Sequence, residues 1–256
     1  MSYIKDRLSL ISIIDSHTHF WDPSCFDYPW LERLPNINKA FLPSDYLNDT
    51  VNIMIEGCVF VQCDTITSQI KDEVHFVQTL ARDFPVIKGI VAAAPIESGD
   101  AIRPYLEELK EIPLVKGVRR LLQDETSEFA LQNNFQKGLK VLADLDLPFD
   151  VCVKNNNQLS AISKLVQQNE RNIFILDHFG KPNVGGGEFD LWKNNIQEIA
   201  KSENVYCKFS GLLTEMSGAQ KVDVLSPYFD IVLESFGSKR ILYGCDWPVC
   251  NLGGWL

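Results

Sequence analysis

The stretch Ile11-Ser12-Ile13-Ile14-Asp15-Ser16-His17-Thr18-His19 opens as an apolar, β-rich run and ends in two imidazoles. Residues two apart in a strand point to the same side, so His17 and His19 can share one ligand. A buried strand with chemistry at its C-terminal end is the building unit of a (β/α)₈ barrel. Seven further runs of this kind follow, over residues 57–62, 86–92, 115–119, 148–153, 172–177, 205–209 and 240–245, with the first over 11–15. Helical patterns separate them over 69–84, 101–110, 135–145, 159–168, 189–201 and 222–236. In the first of these, Ile70, Val74, Val77, Ala81 and Phe84 recur at helical spacing. Apolar strands alternating with helices imply parallel pairing, covered on the outside. An open doubly wound sheet and a closed barrel both fit that alternation, and the count of eight favours the barrel.

No linker, repeat or composition shift divides the chain, so residues 1–256 read as one α/β domain, a (β/α)₈ barrel. At 45% hydrophobic and 23% charged residues it has ample material for one large core. Only about ten residues follow the eighth run, too few for the usual closing helix, so the final helix reads as truncated or missing. The amphipathic segment 3–10, a partner chain or solvent would take its place. The Gly185-Gly186-Gly187 run reads as a turn after the sixth strand.

A net charge of −10 argues against an extended nucleic-acid surface, which needs a clustered positive field. No apolar run reaches the roughly 18 residues that suggest a membrane span, and the first residues do not read as a secretory leader. Seven cysteines, odd in number and without a Cys-x-x-Cys pair, speak against a disulfide framework or a zinc knuckle. The expected compartment is the reducing cytosol. The oligomeric state stays open, a homo-oligomer included.

Chemistry is sought at the strand ends. The sixth run ends in Asp177-His178, followed by Phe179-Gly180-Lys181-Pro182, and the eighth in Cys245-Asp246-Trp247-Pro248. Three of only four histidines therefore fall at strand ends, whereas His75 reads as a surface residue of a charged helix. A lone His-x-His is a weak signal, and an Asp beside Trp is as often a loop cap as a base. Four such groups at three strand ends are harder to explain structurally, because burying them without partners is costly. Arg119 after the fourth strand and Lys181 after the sixth could grip a hydroxyl or carboxylate, or simply cap and pair at the surface. Trp21, Trp30 and Trp247 could wall a sugar-like ring, or merely pack the barrel mouth.

Taken in order, Ile14–Asp22, Tyr28-Pro29-Trp30-Leu31, Gly117-Val118-Arg119, Leu176–Pro182, Lys208–Leu212 and Asp246-Trp247-Pro248 carry a family likeness. The chain resembles the amidohydrolase-related lactonases, which include L-fuconolactonases, other sugar-acid lactonases and 2-pyrone-4,6-dicarboxylate lactonase, over residues 11–250. The resemblance implies a barrel, hydrolysis of a small lactone such as an aldono- or fuconolactone, and Asp246 as general base. The imidazoles and carboxylate at these strand ends, His17, His19, His178 and Asp246, suit one divalent metal ion, zinc first. A metal-independent site is equally in the family's repertoire, the histidines then acting as hydrogen-bond donors. His178 is in either case expected to take part in catalysis. Two-metal relatives would need a lysine after the fourth strand and more histidines, where this chain has Val118-Arg119 and Cys152-Val153. A metal-dependent decarboxylase, another hydrolase of the superfamily and an inactive binding protein are the competing functions.

Overall fold

The computed structural model describes residues 11–216 and 222–253. Eight parallel strands form one sheet in sequence order, β1 (Ile13–Thr18), β2 (Ile55–Val61), β3 (Ile87–Ala93), β4 (Val115–Leu121), β5 (Phe149–Cys152), β6 (Phe174–Leu176), β7 (Val205–Phe209) and β8 (Ile241–Tyr243). The sheet closes on itself where Thr18 bridges Trp247, His19 N donates to Trp247 O (2.8 Å) and Asp246 N donates to His17 O (2.9 Å). The barrel expected from eight runs is thus present. β6 and β8 are shorter than expected, because the chain turns sharply inward at Asp177 and leaves the ladder after Tyr243.

The described helices are α1 (Pro43–Asp49), α2 (Ile70–Asp83), α3 (Arg103–Lys110), α4 (Asn133–Asp144), α5 (Asn156–Gln168), α6 (Phe189–Ala200) and α7 (Ser226–Phe236). α5 begins earlier than its apolar spacing suggested, because Asn155 Oδ1 accepts from Asn157 N and Gln158 N and caps it. α7 begins later, after a tighter turn over Val222–Leu225. The short α1 is too brief to carry a period. Asp45 caps its first turn by accepting from Leu42 N (2.9 Å). None of the described helices is long and apolar enough to cross a membrane, and all seven cysteines are free.

After β8 the chain makes only a tight turn over Val249–Gly253, and no helix among the described residues covers the outside of the β8–β1 seam. A cleft of about 1010 Å³ lies there, lined in part by Ile53, Ile55, Tyr243 and Trp247. α1 packs on its edge, with Tyr46 OH donating to Asp15 Oδ2 (3.1 Å) and Trp247 Nε1 donating to Asp49 Oδ2 (2.8 Å). The segment 3–10 lies outside the described residues.

The buried face of α2 includes a residue its apolar spacing does not suggest. Glu73 is fully buried, with Oε1 accepting from Cys63 N (3.1 Å) and no partner for Oε2 among the described residues. Burial raises its pKa to about 8 against the pull of that hydrogen bond. The folded state therefore keeps a proton that the unfolded chain releases, and stability falls as pH rises from about 4.5 to about 8. Glu73→Gln keeps the oxygen acceptor and removes this loss, which is on the order of 5 kcal/mol. Its melting temperature is expected to exceed the wild type's by several degrees at pH 8.5 and to match it near pH 5. An equal shift at both pH values would show that packing, not ionisation, is responsible.

Candidate active site

β1 and the residue just after it deliver His17 and His19, and the segment after β8 delivers Asp246, to the same end of the barrel. Asp246 Oδ1 lies 3.2 Å from His19 Nε2, 3.6 Å from His17 Nε2 and 4.0 Å from His178 Nε2. The two imidazole nitrogens of His17 and His19 are 3.1 Å apart. All four side chains are nearly sealed from solvent. Gly244 and Gly211 make this crowding feasible. A Cβ on Gly244 would fall 2.7 Å from His17 Cβ, and one on Gly211 would fall 2.5 Å from His178 Nδ1.

His178 reaches the centre through an unusual backbone. His178, Phe179, Gly180 and Lys181 all have positive φ, at 54°, 56°, 70° and 48°, and Asp246 has φ 60°. Each such non-glycine residue costs on the order of 1 kcal/mol. In a continued strand Asp177 and His178 would point to opposite sides. The left-handed turn instead brings both towards His17 and leaves Lys181 at the cavity.

Hydrogen bonding decides which nitrogens are bare. His19 Nδ1 sits 2.7 Å from Val61 O, which can only accept, so Nδ1 carries the proton. His19 Nε2 is left to face Asp246 Oδ1 at 3.2 Å. His17 lies between two cations, with Lys208 Nζ 3.2 Å from Nδ1 and Arg119 Nη1 3.3 Å from Nε2. Burial first, and then the charge of Lys208, holds its pKa far below the usual imidazole value, so the ring is neutral. Burial likewise brings His178 down to about 4 despite the nearby charge of Asp246. Burial opposes ionisation of Asp246, but the charge His178 takes up in acid, the hydrogen bond with His19 and the field of His17 outweigh it. Its carboxyl titrates below the usual carboxylate range.

Beneath His17 lies a sealed ionic layer that the strand patterns did not flag as functional. Lys208 Nζ donates to Asp150 Oδ2 (2.5 Å) and lies 3.0 Å from Asp177 Oδ1. Arg119 Nη1 donates to Asp177 Oδ2 (3.1 Å) and Nη2 to Gln62 O (2.6 Å). Two cations and two anions, on β4, β5, β7 and just after β6, are buried together and balance in charge. A signal was available: Lys208 and Asp150 are charges inside otherwise apolar strands, positions such residues occupy only when paired. Asp15 was another, since its Oδ1 accepts from His17 N (3.1 Å) and Cys245 N (3.0 Å) and ties together the two strands that carry the site.

A cavity of about 250 Å³ opens above the histidines, lined by His19, His178, Asp246, Arg119, Lys181 and Trp30 among others. Trp30 Nε1 donates to Cys63 O (2.8 Å), which holds the indole at the wall. The expectation for the other two tryptophans needs correction, because neither lines this cavity. Trp21 is wholly buried behind His19, its Nε1 donating to Lys39 O (2.9 Å). Trp247 packs among Phe20, Phe41 and Tyr46 and faces the outer seam. Arg119 reaches the cavity, but two of its nitrogens are committed to Asp177 and Gln62. Lys181 Nζ donates to Gln123 Oε1 (3.0 Å) and lies 3.9 Å from Glu215. His75 is exposed on α2, away from all of this.

The donor set suits a divalent cation. His19, Asp246 and neutral His17 form one cluster able to hold an ion, and His17, Asp177 and His178 form another. Asp177 is already engaged by Arg119 and Lys208, which favours the first cluster.

Comparison with known proteins agrees with the fold and with the likeness read from the motifs. The family model described as amidohydrolase matches residues 14–256. An L-fucono-1,5-lactonase of Burkholderia multivorans is 30% identical over 254 residues, covering 93% of this chain and 83% of that protein. Among solved structures, an amidohydrolase from Burkholderia multivorans with bound zinc is 29% identical and superposes with a TM-score of 0.81, covering 94% of this chain and 86% of that one. A probable 2-pyrone-4,6-dicarboxylic acid hydrolase from Acinetobacter baumannii, with citric acid bound, is 16% identical with a TM-score of 0.77. It covers 96% of this chain and 88% of its own, and shares the fold.

Proposed function

This chain belongs to the amidohydrolase family, and we propose that it is a hydrolase opening a small, neutral, hydroxyl-bearing lactone with Asp246 as general base. The observation that carries the reading is one ionised carboxylate within 4.0 Å of three imidazoles at the floor of a small cavity. The L-fucono-1,5-lactonase relative supports the reaction class. The charge balance supports a neutral substrate. Arg119 is matched by Asp177 and Lys181 faces Glu215, so the wall offers little uncommitted positive charge for a dicarboxylated ring.

His17, His19 and Asp246 would hold one divalent ion, with His178 Nε2 4.0 Å from Asp246 Oδ1 as a further ligand, and the zinc in the related structure makes zinc the first choice. When bound, such an ion supplies Lewis-acid polarisation and lowers the pKa of water. The chain's own groups do the rest. Asp246 accepts a proton from the water that attacks the acyl carbon. The buried, neutral His178 stays oriented by Ser210, whose Oγ is 2.9 Å from Nδ1. As the ring C–O bond breaks, the proton on Asp246 passes to the leaving alkoxide and yields the hydroxy acid. Trp30 and Leu34 exclude bulk water from one wall.

A panel of aldono-1,5- and 1,4-lactones and 2-pyrone-4,6-dicarboxylate, followed by acid release before and after chelation, tests this. Neutral hydroxylated lactones are expected to open, with about one equivalent of metal bound. Chelation is expected to cut the rate 100-fold or more, with recovery on adding zinc. Turnover of the dicarboxylate alone, or of no lactone, would overturn the reading. Full activity with no metal bound would give the histidines direct hydrogen-bonding roles.

A further inference from the structure

The geometry points to Asp64 as the residue that selects hydroxylated rings, its carboxylate binding a pair of adjacent substrate hydroxyls in the cavity wall. This rests on the proposed reaction and extends it to the part of the substrate away from the ester.

The inference follows from asking which polar groups of the cavity are still free. His19, His178 and Asp246 are occupied with one another at the floor. Arg119 and Lys181 are paired, Gln123 Oε1 accepts from Lys181, and Asp124 lies 3.6 Å from Lys154 Nζ. Asp64 lines the cavity at its solvent-exposed mouth, and no described side chain or backbone group donates to its carboxylate. Both oxygens are available. A carboxylate with two free oxygens can accept from two neighbouring hydroxyls at once, and it cannot serve a ring that has none.

The backbone holds Asp64 in this position deliberately. Its φ is 58°, a left-handed conformation that L-residues other than Asn and Asp rarely adopt. Gln62 fixes the bend, its Oε1 accepting from Asp64 N at 2.6 Å. The same Gln62 takes Arg119 Nη2 on its carbonyl oxygen, so the hydroxyl-binding carboxylate and the ionic layer share one buried anchor. The preceding residue, Cys63, places its sulfur 3.7 Å from His19 Nδ1. Asp64 thus follows directly on a residue that touches the floor, and it lines the same cavity. Its negative charge also repels carboxylated lactones.

Calorimetric titration with a polyhydroxylated 1,5-lactam, which is not hydrolysed, and with unsubstituted 2-piperidone reads this contact without turnover. The wild type is expected to bind the hydroxylated lactam about 10- to 100-fold more tightly. Asp64→Gly removes the carboxylate and tolerates the positive φ, and it should erase most of that preference. Asp64→Asn, which keeps shape and backbone, should weaken it less. A preference that survives Asp64→Gly, or a wild type without preference, overturns the assignment. Lactone kinetics on the same protein separate the two claims. An Asp64-dependent preference in a protein that opens no lactone leaves the subsite standing and overturns the hydrolase reading. Lactone opening with the preference unmoved overturns the subsite alone.

Discussion

Asp246→Asn is expected to lower kcat for lactone opening by three or more orders of magnitude while leaving the melting temperature within a few degrees of the wild type's. An amide cannot take the proton of the attacking water, nor return it to the leaving alkoxide, so both halves of the reaction are affected. The fold should survive, because Asn has nearly the same shape and tolerates the φ of 60° at this position. Asn also removes a buried charge that burial opposes. The pH profile offers an independent check. A base must be ionised to act, so its contribution is present above its pKa and lost as pH falls through it. Because Asp246 titrates below the usual carboxylate range, it should impose no loss of activity between pH 5 and 8. Near-normal turnover by a folded Asp246→Asn protein would remove Asp246 from the mechanism.

Lys208→Met should be the most damaging single change to stability. Met fills the volume but leaves Asp150 and Asp177 facing each other across a sealed layer, each having lost its ammonium partner. Removing one partner of a buried ion pair costs about 3–5 kcal/mol, a fall in melting temperature of roughly 10 °C or more at this chain length. Burial already pushes Asp150 up to about 6 against the pull of Lys208, so without the lysine it would have to keep its proton. Adding Asp150→Asn removes the uncompensated charge and retains the Arg119–Asp177 pair. The double variant should therefore melt well above Lys208→Met. If the two melt alike, the damage comes from lost packing and the charge argument fails. Activity is a further readout, since Lys208 lies 3.2 Å from His17 Nδ1.

Much of the architecture was legible because it rests on periodicity. Buried parallel strands must be apolar along their length, and the covering helices must be apolar every third or fourth residue. Both patterns survive in the chain without knowledge of any contact. His17 and His19 were legible for a related reason, since strand geometry alone puts alternate residues on one side. The limits were equally physical. α1 is too short for a period, and the starts of α5 and α7 were set by a cap and by a tighter preceding turn. For Trp21 and Trp247 the sequence left a wall role and packing at the barrel mouth both open, and only the fold turns their indoles away to bond Lys39 O and Asp49.

By itself the sequence determined an eight-stranded α/β barrel, a family likeness and the set of ionisable groups at three strand ends. Only the tertiary structure decided how those groups divide their work. Asp177 and His178 are neighbours in sequence, and a left-handed turn gives one to the ionic layer and the other to Asp246. Lys208 and Asp150, 58 residues apart, form a pair because β5 and β7 are brought together in the same closed barrel. Periodicity is a property of each segment, and a segment carries it alone. Which charge meets which, and which carboxylate is left free to face a substrate, depends on distances between segments, and those exist only once the barrel has closed.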